Sequence, residues 1–210
     1  MRQSRQHSKI RVFMDFWNFA TEWKKLTGSW PQDNLDWAAF PEAIIESLDK
    51  VGPIRNVKKE FRAFKVYASA KPADYAYSSG AEPSEVAEEK RRQTWLQNEL
   101  DQITSYTVDI TTQSKEPLQC DFCGSDTPHF FEQGVDTKIA IDLVSLASRD
   151  LYDIAVLITD DNDLVPSTQC VQQAIDKQVI HLGFRDRDTE VRDEAWGHLF
   201  VDDMLSEIVK

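Results

Sequence analysis

Ile10-Arg11-Val12-Phe13-Met14-Asp15 near the start of the chain and Ile154-Ala155-Val156-Leu157-Ile158-Thr159-Asp160-Asp161-Asn162-Asp163 near its end decide the fold. Each begins as a short, almost continuous apolar run, the pattern of a strand buried on both faces of a parallel sheet. Each ends in acid. In an open α/β sheet the carboxyl ends of such strands carry the ligand site, at the point where strand order reverses. Acids delivered there by two separate strands suggest a metal site.

Working outward, Trp30-Pro31-Gln32-Asp33-Asn34 marks a turn, and apolar residues at Trp37, Phe40, Ile44, Ile45 and Leu48 predict a helix over 36–50, interrupted early by Pro41 and stopped by Gly52-Pro53. Residues 61–70 read as a second strand, 82–101 as a long solvent-facing helix opening at Pro83, and 103–112 as a third strand. The stretch 113–134, with Pro117, Cys120, Cys123, Gly124 and Pro128, reads as a loop or insertion. Helix resumes at Asp136 with a wide apolar face, the Ile154 strand follows, then a helix over 166–176 and a strand over 179–184. Residues 191–196 and 204–209 read as short closing elements. Strands alternating with helices predict a three-layer α/β/α domain around a mostly parallel sheet, with right-handed crossovers. The whole chain, 1–210, is expected to form one such domain.

Composition bounds the function. The longest apolar stretches are a handful of residues, against the roughly 20 that cross a bilayer, so no membrane association and a cytoplasmic location are expected. Three cysteines do not make a disulfide framework, which agrees with a reducing compartment. The net charge of -12 means that a polyanion partner must be met by a local patch or through bound cations. Acids gathered in one cleft hold divalent metal, and the metal attracts phosphate.

Asp15, Asp136, Asp161 and Asp163 come from three chain segments that the topology brings to one edge of the sheet. Several carboxylates in one place repel unless a cation sits among them. Mg²⁺ or Mn²⁺, hard ions with oxygen ligands, suits such a set. Taken singly, each acid has a plainer use: Asp15, Asn18 and Asp136 stand where helix caps stand, and 160–163 is an acceptable polar βα loop. Asp142 lies roughly 9 Å along the helix from Asp136 and about 120° around it, so it is expected to support the site through a partner such as lysine.

Asp15-x-x-Asn18 after the first strand, Gly134-Val135-Asp136 followed by Ile139-Ala140-x-Asp142, and Asp161-x-Asp163-x-x-Pro166 after the fourth strand together resemble the NYN domains of the PIN-like nuclease superfamily, particularly the LabA-like bacterial branch. The resemblance runs from about residue 9 to 200. It implies a PIN-like fold and metal-dependent cleavage of RNA phosphodiesters, with Asp15, Asp136, Asp161 and Asp163 as metal-binding acids and Asn18 orienting a ligand or substrate phosphate. Thr159 and Asp160 are placed beside them, with one departure: the family usually has Gly where this chain has Asp160. The extra carboxylate is expected to shift or tighten the metal, and its Cβ to alter the turn. An alternative keeps the fold and drops the chemistry, leaving a module that binds RNA or a protein partner in a regulatory role.

Other acidic α/β enzymes fit less well. A haloacid-dehalogenase-like enzyme needs Asp-x-Asp after its first strand, where Asp15-Phe16-Trp17 lacks the second acid. A receiver domain carries its paired acids after the first strand, not the fourth. Cys120-Asp121-Phe122-Cys123 has the spacing of half a zinc knuckle, with His129 a third ligand for a structural Zn²⁺, or is a reduced pair that shapes a loop. Trp17, Phe19 and Trp23 beside Asp15 could stack on unpaired bases or fill the core. Arg55, Lys58, Lys59, Arg62 and Lys65 form the densest basic run, either a phosphate-tracking patch or ordinary solvated surface. The sequence leaves monomer and homodimer both open.

Overall fold

The computed structural model describes residues 7–55, 57–72, 75, 82–119, 122, 124 and 126–210. Among them, β1 (His7–Asp15), β2 (Lys58–Ala70), β3 (Tyr106–Thr112), β6 (Ile154–Ile158), β7 (Gln178–Gly183) and β8 (Gly197–Phe200) form a six-stranded sheet in the order β3-β2-β1-β6-β7-β8. Every pairing in it is parallel. The chain builds outward from β1 to β2 and β3, then returns across the sheet to place β6 on the other side of β1. Strand order therefore reverses between β1 and β6, and their carboxyl ends flank the crevice where open α/β sheets bind ligands.

The period-2 alternation of the strands explains the three layers. Val12 and Met14 of β1, with Val156 and Ile158 of β6, face a core shared with α1 (Phe16–Thr27), α3 (Phe40–Ser47) and α4 (Pro83–Asn98). Phe13, Ala155 and Leu157 face the opposite way, onto Ile139, Leu143 and Ala147 of α5 (Val135–Ser148). All five residues of β6 are buried, because both of its faces are covered by helices. A short α2 (Pro31–Asn34) carries the turn predicted from Trp30-Pro31.

Element boundaries differ from the sequence reading where caps and pairing intervene. The carboxylate of Asp36 accepts the amides of Ala38 and Ala39, so the helix predicted from Asp36 begins only at Phe40, with Pro41 harmless in its first turn. The 113–134 stretch carries an antiparallel hairpin instead of a loop, β4 (Ser114–Gln119) with β5 (Asp126–Phe131). Its two prolines, Pro117 and Pro128, sit opposite each other in an isolated two-stranded ribbon, where the missing N–H groups break no central ladder. The helix predicted over 166–176 divides into α6 (Val165–Gln169) and a π-helical turn, Cys170–Ala174. Residues 191–196 lead from α7 (Glu190–Glu194) into β8, a sixth strand that the sequence reading does not contain, and the described chain closes with α8 (Leu205–Ile208). No helix among the described residues is long and apolar enough to cross a membrane.

Candidate metal centre

Asp15 ends β1 and caps α1: its Oδ1 accepts the Asn18 amide at 3.2 Å. The side chain is only 4% exposed. Burial, reinforced by the neighbouring carboxylates of Glu132, Asp136 and Asp161, pushes its carboxyl up to about 7, although the Asn18 amide works in the other direction. Asn18 is engaged as well. Its side-chain oxygen accepts the Asp160 amide at 3.0 Å, tying the end of β1 to the loop after β6.

That loop is shaped by its own side chains. The Asp161 amide donates to Thr159 Oγ1, and Asp161 Oδ1 accepts the Asp163 amide at 2.9 Å, starting a 3-10 turn at Asn162. Asn162 Oδ1 then accepts the Glu190 amide at 2.9 Å, anchoring the start of α7 to the same edge. From the other face, Gly134 adopts φ +85°, a conformation that favours glycine, and leads into the first turn of α5 with Asp136.

These segments bring Asp136, Asp161 and Asp163 together, with one carboxylate oxygen of each lying within 4.8 Å of the others. Burial, then Asp161, Glu132 and Asp163, pushes the Asp136 carboxyl up to about 6. Asp15 stands outside this triad but feels Asp136 and Asp161 directly. The donors are all hard oxygens and their mutual repulsion raises the Asp15 and Asp136 carboxyls, so the residues fit a hard divalent cation.

Other residues singled out in the sequence fall elsewhere. Asp160 does not join the triad: it is buried, and its carboxylate faces β7, with Oδ1 3.4 Å from His181 Nε2 and Oδ2 3.6 Å from Arg187 Nε. The expectation that it would shift or tighten the metal gives way to a role in packing the loop against β7. Asp142 accepts Lys65 Nζ at 2.6 Å and the buried Tyr67 hydroxyl at 2.7 Å. Lys65 also pairs with Asp109, and Asp109 accepts Lys138, so this network clamps α5 onto β2 and β3, with Tyr67 in register beside Asp15. Glu132, absent from the sequence reading, acts on both Asp15 and Asp136. Its signal was an acid two residues before Gly134.

Phe19 and Trp23 are core residues, and the Trp17 indole donates to the Ser69 carbonyl, so the aromatics around Asp15 fill structure. The basic run is equally plain. Lys58 pairs with His7 at the amino end of the strands, whereas Asp15 pairs with Tyr67 at the carboxyl end, so 58–62 lies on the edge opposite the acids. Cys120 and Cys123, and with them the zinc expectation, lie outside the described residues.

No protein of curated function matches the chain. Over 100% of both chains it is similar to a crystal structure of a protein of unknown function from Vibrio parahaemolyticus, at 17% identity and a TM-score of 0.55, a likeness of fold alone. The family model of the NYN domain matches residues 9–202, which spans β1, the acid loop and β8. The chain is therefore a member of the NYN domain family, in the PIN-like superfamily.

Proposed function

We propose that the protein is a metal-dependent endoribonuclease acting at the carboxyl edge between β1 and β6. The observation that carries this reading is the triad of Asp136, Asp161 and Asp163, within 4.8 Å of one another at the switch point of a nuclease-like fold. Asp15 beside it has a carboxyl pushed up to about 7. Such an arrangement is costly by itself, and a divalent ion offsets the cost.

Asp136, Asp161 and Asp163 would hold the ion, with Asp15 and Glu132 completing the negative surround. A bound Mg²⁺ or Mn²⁺ supplies Lewis acidity toward a phosphodiester and lowers the pKa of attacking water. The chain's own part is positional. Asn18 and Thr159 fix the loop that presents Asp161 and Asp163, through the Asp160 and Asp161 amides. The Asp15 carboxyl, anchored at Oδ1 by the Asn18 amide, adds its charge to the surround of the triad.

The test is incubation of the purified protein with mixed RNA and with single-stranded DNA in Mn²⁺, Mg²⁺ or EDTA. RNA cleavage is expected with either ion and not with EDTA, and Asp161→Asn is expected to fold but not cut. Cleavage by Asp161→Asn at the wild-type rate refutes the assignment. Ion binding without hydrolysis points to the non-cutting regulatory module.

A further inference from the structure

We infer that His181 is a positioning residue for the metal centre: its ring holds the Thr159 carbonyl and so fixes the loop that presents Asp161 and Asp163. The inference rests on those acids holding a divalent ion. It starts from the end of β6. The pairing with β1 stops at Ile158 and that with β7 at Leu157, so Thr159 is the first residue beyond both ladders. A buried carbonyl there needs a donor from outside the sheet backbone, and β7 supplies one from a side chain. His181 lies opposite Leu157 in the pairing, and its Nε2 is 2.7 Å from the Thr159 carbonyl oxygen. A carbonyl only accepts, so Nε2 carries the hydrogen and donates it. The Asp160 carboxylate is the weaker claimant, with Oδ1 at 3.4 Å from the same nitrogen.

The ring is held in place. His181 is 1% exposed, and its Nδ1 has no hydrogen-bond partner among the described residues, which leaves Nε2 as the engaged nitrogen. Gly183, two residues on and on the same face of β7, makes room for it. A Cβ at Gly183 would stand 2.3 Å from His181 Cε1 and 3.0 Å from both His181 Nε2 and Asp160 Oδ1. Burying an imidazole costs free energy unless its polar atoms are used, and the short bond this one makes is to the acid loop.

Thr159 is the pivot of that loop. Its hydroxyl oxygen accepts the Asp161 amide at 3.1 Å, and the Asp160 amide is held by Asn18 at 3.0 Å. With His181 on the carbonyl, the loop is pinned from α1 on one side and from β7 on the other. Asp161 and Asp163 leave the backbone just beyond this pivot. A divalent ion requires its oxygens at fixed positions, so a loop free to turn at Thr159 holds it less well.

The experiment measures Mn²⁺ affinity of the full chain by calorimetry, beside amide hydrogen exchange of residues 159–163 in EDTA. His181→Phe keeps a buried ring without a donor, His181→Asn is too short to reach the carbonyl, and His181→Gln offers an amide N–H where Nε2 stands. His181→Phe and His181→Asn are expected to weaken Mn²⁺ binding about fivefold, the effect of losing one ordinary hydrogen bond. Both should also speed exchange of the Asp160 and Asp163 amides while exchange in β1 stays slow, which shows that the fold is kept. His181→Gln should restore affinity and exchange to within about twofold of wild type. Wild-type affinity and exchange in the Phe and Asn variants, or equal losses in all three, overturn the positioning role. A wild type that takes up no Mn²⁺ removes the metal centre instead, and the exchange measurements then decide by themselves whether His181 holds the loop.

Discussion

Asp15→Asn should make the metal-free protein more stable at neutral and alkaline pH while weakening its response to divalent ions. The Asp15 carboxyl is buried and pushed from 3.8 up to about 7. Below pH 3.8 both the folded and unfolded chains keep this proton, so the residue costs nothing. Between 3.8 and about 7 the unfolded chain releases it and the folded chain does not, so stability falls as pH rises. Above about 7 the loss is complete, and amounts to about 4 kcal/mol. The asparagine keeps an Oδ1 acceptor for the Asn18 amide, so the cap survives and only the titration disappears. Urea unfolding in EDTA at steps from about pH 4 to pH 8 should therefore show a gap between variant and wild type that is near zero in acid and grows toward about 4 kcal/mol. Saturating Mn²⁺ should stabilise the wild type most above pH 7, where its carboxylates are ionised, and the variant, which keeps the triad but lacks the Asp15 charge, by less. A gap that stays constant with pH, or a variant less stable at pH 8, refutes the picture of a carboxyl whose proton is held by burial, reinforced by its acidic neighbours.

Glu132→Gln removes one of the charges raising Asp15 and Asp136; being exposed, it should stabilise the metal-free protein at pH 8 by about 1 kcal/mol or less, read from the same urea curves. Tyr67→Phe takes a buried hydroxyl from Asp142 and should cost about 1–3 kcal/mol in unfolding free energy, with cleavage reduced only in so far as α5 shifts. Asp160→Asn should leave divalent-ion affinity by calorimetry unchanged, because its carboxylate faces β7, whereas Asp161→Asn should lower that affinity by at least about tenfold. Equal losses in the two variants would contradict the geometry.

The helix and strand pattern and the four acids Asp15, Asp136, Asp161 and Asp163 were legible in the amino-acid sequence, because side-chain period and capping chemistry are local. An apolar run with acid at its end reads the same in the chain as in the sheet, and Gly134 announces the positive φ that starts α5. The alternation of strands and helices announces a parallel sheet, but the reversal between β1 and β6 is decided by the packing of the strands, since alternation leaves their order open. What the chain could not disclose were the partners of its polar groups, which lie far away along it. Asp142 finds Lys65 and Tyr67, 77 and 75 residues distant, and Asp160 finds His181 and Arg187 on the far side of a helix. Glu132 reaches the acids only because a hairpin folds back on itself, and β8 exists only because β7 offers an edge to four residues too few to show a period. Local patterning fixed where the carboxylates leave the backbone. Tertiary packing chose which of them face one another, since a carboxylate at the end of a strand turns toward whichever charge or amide the neighbouring strands supply.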